Sequence, residues 1–191
     1  QFYGSVNKVI ANFSHLDYET KGKLFVSYCT SFYGSPPWSL NSASSQKCHI
    51  AWNKAVRRLL NLPHCTHTWT LGPLIGQLHI KTQLLIRNFN FLLRCLKSNN
   101  RLVKTFLALA IDNAQTPCGQ NIALLRDTYG IHLNADPSSC RKLIINKYCL
   151  NNEQIAKVSV ATEVLQCING QATLGLSKDQ LTNLLEGVLT N

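Results

Sequence analysis

An all-α fold, an irregular bundle of about eight to nine helices, is predicted from three observations. Apolar residues recur at helical spacing along the chain, Gly and Pro punctuate those runs, and strict alternation of apolar and polar residues is scarce. The 191 residues, 45% of them apolar, suffice for an ordinary buried core. The expected organisation is a basic helical region over 1–131 and a C-terminal helical extension over 132–191, whose last helices form a small subdomain.

The first helix is predicted over 5–13, on Val6, Val9, Ile10 and Phe13. A second, capped by Asp17, carries Leu24, Phe25, Tyr28, Cys29 and Phe32 and stops before Gly34, where Ser35-Pro36-Pro37-Trp38 forces a turn. After the polar linker SLNSASS, a third helix spans 46–61 and ends at Pro63. At about 100° per residue, Lys47, Lys54, Arg57, Arg58 and Asn61 share one face, with both arginines pointing outward. Cys48, Trp52, Ala55, Val56, Leu59 and Leu60 form the opposite, docking face.

The longest helix is expected over 79–97. Its apolar arc of Ile80, Leu84, Leu85, Phe89, Phe91, Leu92, Cys95 and Leu96 leaves only the strip Gln83, Arg87, Asn90, Arg94 and Lys97 polar. Three cations therefore line one edge of a mostly buried helix. Further helices are predicted over 101–114, 119–129 with Gly130 past the end, 137–147 with Asp136 as cap and Pro137 first, 153–168 and 178–189. The last opens on a Ser177/Gln180 capping box, and its apolar face of Leu181, Leu184, Leu185, Val188 and Leu189 needs a partner. The stretch GQATLGLS at 170–177 is a looser link before it.

Charge is segregated. The net charge is +10, yet no acidic residue lies between 20 and 111, a window holding Lys21, Lys23, Lys47, Lys54, Arg57, Arg58, Lys81, Arg87, Arg94, Lys97, Arg101 and Lys104. Solubility does not require such a one-signed field, whereas a polyanion rewards it, so the first half is read as a surface for phosphate. If six of these cations each neutralised a phosphate, affinity would fall with salt at a log–log slope of roughly −4 to −5.

Other chemistries fit poorly. Cys48, His49, His64, Cys65 and His67 are ligand types, but the paired short spacings of zinc modules are missing, so packing and loop-capping roles are expected and no metal site. The eight cysteines sit at irregular intervals, mostly within apolar helical patterns, and are expected as reduced, buried thiols rather than a disulfide framework. They and six histidines allow many Cys/His pairs, none singled out. Two-metal phosphoryl transfer requires clustered carboxylates that the basic half lacks, and no phosphate-binding glycine loop is present. No run reaches the roughly 18 apolar residues of a membrane span, so no membrane partner is expected, and the chain reads as soluble and intracellular, in nucleus or cytoplasm. With no Met and a start at Gln1, it reads as a piece of a longer protein.

Four segments taken together carry a resemblance: FYGSVNKVIANFS near the start, KLFVSYCTSFYGSPPW at 23–38, AWNKAVRRLLNLPHCTHTW at 51–69, and NAQTPCGQNI at 113–122. Over residues 1 to about 130 the chain resembles the region after the palm domain in reverse transcriptases of non-LTR, LINE-type (jockey/CR1-like) retrotransposons. The 60-residue tail carries no family signature, and the C-terminal Cys/His knuckle of full-length elements is missing. The resemblance implies a thumb-like helical module that holds the template–primer duplex while an upstream palm, with its Ala-Asp-Asp carboxylates and Mg2+, carries out RNA-directed DNA synthesis. Lys54, Arg57 and Arg58 match the family's basic helix, and His67 its Thr-His pair. Tyr33, Gly34, Trp38, Trp52 and Pro63 match structural positions.

The expectation that follows is a chain without catalytic residues or cofactor of its own. It would bind RNA or an RNA/DNA duplex through Lys47, Lys54, Arg57, Arg58, Arg87, Arg94, Lys97, Arg101 and Lys104, with the missing palm as its other partner. Two alternatives stand beside it: a retroelement relic whose exposed apolar surface binds protein or has no function, and a part of a polymerase active only when joined to its palm.

Overall fold

The computed structural model describes residues 2–170 and 174–190. Among these residues the fold is entirely helical: α1 (Phe2–Asn12), α2 (Tyr18–Cys29), α3 (Ala43–Leu59), α4 (Thr68–Leu74), α5 (Ile80–Lys97), α6 (Arg101–Asp112), α7 (Pro117–Tyr129), α8 (Pro137–Asn146), α9 (Asn152–Ile168) and α10 (Lys178–Thr190). Ten helices replace the expected eight to nine. The addition is α4, whose seven residues TWTLGPL are too short to show a helical period and contain a Gly-Pro pair that reads as a turn. Part of the expected link at 170–177, residues 171–173, lies outside the described residues.

Helix ends follow local chemistry. The Asp17 carboxylate accepts from the Thr20 backbone N–H at 2.8 Å and from its hydroxyl at 2.7 Å, and Asp136 accepts from the Ser139 N–H at 2.7 Å. A reciprocal capping box joins Asn151 and Gln154 at the start of α9. Ser177 and Gln180 do the same for α10. α3 stops before Pro63 is reached. Asn61 takes the left-handed conformation at φ 52° and the Leu62 N–H bonds back to the Arg57 carbonyl at 2.8 Å, a closure that Asn tolerates.

The chain divides into two compact units, each discontinuous in sequence. The first comprises residues 1–32, 50–79 and 150–191, the second residues 33–49 and 80–149. One division point falls inside α3, between His49 and Ile50.

In the first unit α1 packs on α2, and α9 packs on both α10 and α4. The terminal pair thus packs on α4 through α9. Trp52 is fully buried, its ring edge-on to Phe25 at 6.2 Å and to His79 at 5.0 Å. Val56, Leu71, Val164 and Leu189 are buried in the same unit.

In the second unit α5 packs on α6 and α8, and α6 on α7. Phe89, Leu84, Leu92, Leu125 and Ile144 are buried there. Asn88 and Asn121 are buried too, and each serves the turn around Pro36–Leu40: Asn88 donates to the Pro36 carbonyl at 2.6 Å, and Asn121 donates to the Trp38 carbonyl at 2.7 Å while accepting from the Leu40 N–H at 3.0 Å. No described helix is long and apolar enough to cross a membrane.

Candidate nucleic-acid interface

Charge divides less sharply between the spatial units than along the chain, where residues 20–111 carry +12 and the remainder −2. The second unit carries eleven lysines and arginines against three carboxylates, a net +8, while the first carries eight against six, a net +2. Within the second unit, neither α5 nor α8 contains an acidic residue.

Those two helices pack on each other and present a basic surface. The Arg141 guanidinium of α8 reaches across to α5, donating to the Asn90 side-chain carbonyl from Nε at 3.1 Å and from Nη2 at 2.7 Å. Asn90 sits three residues after Arg87 and four before Arg94, so both arginines share its face of α5, one turn away on either side. Asn90 is a neutral acceptor: it positions the Arg141 head without cancelling its charge. Arg94 and Lys97 are exposed, and Arg87 is half-buried.

The nearest carboxylate in sequence, Asp136, is committed to capping α8. The Ser139 backbone N–H and then its side chain hold that carboxyl below the ordinary carboxylate range, with Lys142 adding to the effect. Elsewhere in the unit, Arg126 pairs with Asp127, and Lys147 donates to the Thr128 carbonyl at 2.8 Å while lying over the Tyr129 ring.

The remaining expected contacts are distributed between the units. Lys47 is exposed in the second unit's portion of α3, and Arg101 and Lys104 are exposed on α6. Lys54 and Arg58 are exposed on the first unit's portion. Arg57 departs from expectation: its guanidinium turns back on the Thr66 carbonyl, with Nε at 3.2 Å and Nη2 at 2.6 Å, and is half-buried. It closes the turn after α3, because the Thr66 carbonyl lies in an irregular loop with no helical donor of its own.

Of the family-type positions, Tyr33 is fully exposed, Gly34 occupies a left-handed conformation at φ 78°, Trp38 contributes its backbone carbonyl to Asn121, and Trp52 is core. Pro63 follows the αL closure of α3. His67 precedes α4, donates its backbone N–H to the Leu189 carbonyl at 3.1 Å, and stacks on Trp69 at 5.9 Å.

Cys48 and His49 lie in one unit and His64, Cys65 and His67 in the other. Among the described residues no three His, Cys, Asp or Glu side chains gather where an ion could be held. All eight cysteines are free thiols, but only Cys29 and Cys140 are buried, whereas Cys65 and Cys149 are exposed and the other four half-buried. The expectation of buried thiols therefore holds only in part, and the two exposed cysteines, Cys65 and Cys149, lie in loops outside the helices.

Arg141 escaped the sequence reading because its partner is 51 residues away and the 137–147 helix shows no cationic stripe. The adjacent pair Arg141-Lys142, in a helix without an acidic residue, was the available signal. No family model, no curated protein and no solved structure matches this chain.

Proposed function

We propose that the chain is a non-catalytic, thumb-like helical module that grips the phosphate backbone of an RNA or RNA/DNA template–primer duplex. The observation that carries this reading is the Arg87–Asn90–Arg94 face of α5 joined by Arg141, a cationic cluster without a carboxylate on either helix. Such a cluster repels itself, and holding Arg141 on a neutral amide makes physical sense when an anion completes the surface. Guanidinium groups offer forked donors that suit phosphate oxygens. The contacts would be to backbone and not to base edges, giving little sequence preference.

The resemblance supplies the wider setting: a polymerase palm with its own carboxylates and Mg2+ would perform RNA-directed DNA synthesis, and this chain would hold its substrate. Lys47, Lys97, Arg101 and Lys104 would extend the track on the same unit, and Lys54 and Arg58 would provide a second one.

The test is fluorescence anisotropy of the 191-residue chain with a short RNA/DNA hybrid across roughly 50–300 mM salt. The expected log–log slope is roughly −4 to −5, reduced by about one per lost contact in the Arg94→Glu/Arg141→Glu variant. Absence of binding at low salt, with helical circular dichroism intact, would overturn the reading.

A further inference from the structure

The helix α6 has two apolar sides. Val103, Leu107 and Ala110 face its neighbours, while Leu102, Phe106 and Leu109, at steps of four and three, form a second stripe exposed to 68%, 70% and 59%. A buried helix needs the first stripe; nothing in the folding of this unit needs the second.

Phe106 and Leu109 of the second stripe, together with Val103, Leu107 and Ala110 of the first, border a groove of about 880 Å³ within the second unit, closed on other sides by Phe91 of α5, Pro117 at the start of α7, and Pro37. Its size falls in the range of about 300–1,000 Å³ that small organic ligands occupy. The walls are thus flat rings, prolines and aliphatic carbons. The few polar groups include Asn113 and Thr116, whose side-chain oxygens already accept the N–H groups of Gln115 and Gly119. The Asp112 carboxylate also lines the groove and is exposed.

Charge borders one wall. Phe91 lies four residues after Arg87 and three before Arg94, so its ring stands directly beside the cationic strip that Arg141 joins. An occupant should therefore be flat and apolar where it meets Phe91 and Phe106, anionic where it meets the arginines, and able to donate a hydrogen bond to Asp112.

We infer that this groove takes unpaired nucleotides of a single-stranded nucleic acid, stacking bases on Phe106 and Phe91 while the phosphates run along Arg87, Arg94 and Arg141. A base presents two apolar faces and, in adenine, guanine or cytosine, an exocyclic amine for Asp112. A duplex keeps its base faces stacked inside and cannot enter, so the groove would select a strand end or overhang beside the duplex. This inference rests on the backbone-binding reading above and specifies which part of the nucleic acid reaches this unit.

The experiment compares a fluorescein-labelled 12-nucleotide adenine-rich DNA strand with a 12-base-pair hybrid, using the full chain and four variants. The expected result is that Phe106→Leu, which keeps apolar bulk but removes the ring, weakens single-strand binding roughly ten-fold and leaves duplex binding unchanged. Phe106→Trp restores it. Arg94→Glu and Arg141→Glu weaken both. If Phe106→Leu binds both probes like the unchanged chain, the inference is overturned while backbone binding stands. If neither probe binds, both readings fall. If the chain dimerises in sedimentation and Phe106→Leu dissociates it, the groove belongs to a second copy and the inference is overturned. Phe106 is solvent-exposed, so its substitution spares the core, and circular dichroism of each variant checks that point.

Discussion

The side-chain amide of Asn121 donates to the backbone carbonyl of Trp38 across 83 positions of sequence, at 2.7 Å, while its oxygen accepts the Leu40 N–H. One buried amide thereby satisfies both a donor and an acceptor of a turn that has no regular structure of its own, which is why an Asn, and no apolar residue, stands in the interior face of α7. Replacing it with Leu strands both backbone groups. The expected loss is about 2–4 kcal/mol, measured by urea unfolding, and a cost under about 0.5 kcal/mol would show that the turn relaxes into water.

Two glycines in helices should respond with opposite signs to the same substitution. A Cβ at Gly119 would stand 2.2 Å from the Asn113 carbonyl oxygen and 2.5 Å from that of Ala110, both backbone atoms that cannot swing aside. The gain in helix propensity is about 1 kcal/mol and the overlap costs more, so Gly119→Ala should destabilise by about 2 kcal/mol. At Gly187 on α10 nothing lies within 4 Å, and Gly187→Ala should stabilise by about 0.5–1 kcal/mol in the same thermal melts.

Arg57 and Arg58 are adjacent cations with different tasks. Arg57→Ala removes a forked bond to the Thr66 carbonyl and should cost about 1–2 kcal/mol of stability, whereas Arg58→Ala should cost almost none. The paired denaturation curves would reverse this assignment if they coincided.

Stability should fall on mild acidification through His49. Burial, followed by the Lys81 charge, pushes its imidazolium pKa below the ordinary value, so the unfolded chain takes up a proton that the folded chain resists. The penalty is absent above about pH 6.5, the unfolded value, and grows as pH falls from there towards the folded value. His49→Gln should flatten that part of the stability–pH curve between about pH 7 and pH 5. An unchanged slope would place the pH response elsewhere.

The helical class, the positions of nine helices and the caps at Asp17, Asp136 and Ser177 were legible because each depends on residues three to four apart: Asp17 with Thr20, Asp136 with Ser139, Ser177 with Gln180. α4 was not, since seven residues with Pro73 inside leave no period to detect. The basic strip of α5 was legible as spacing, but its completion by Arg141 depends on tertiary packing, as does the withdrawal of Arg57 to Thr66. A helical-wheel face tells which way a side chain starts, not which carbonyl lies within reach of its head.

The interleaving of the two units sets an order of events during synthesis. All of the second unit has been made by residue 149, whereas the first still lacks α9, on which α4 packs, and α10, whose Leu189 carbonyl receives the His67 N–H. On the ribosome the earlier-begun unit is therefore the later to finish, and the apolar face of α4 waits for the closing segment. A stop codon near residue 150 would leave the cationic unit complete and the other permanently open, a chain that a cell would treat as a substrate for chaperones and proteases.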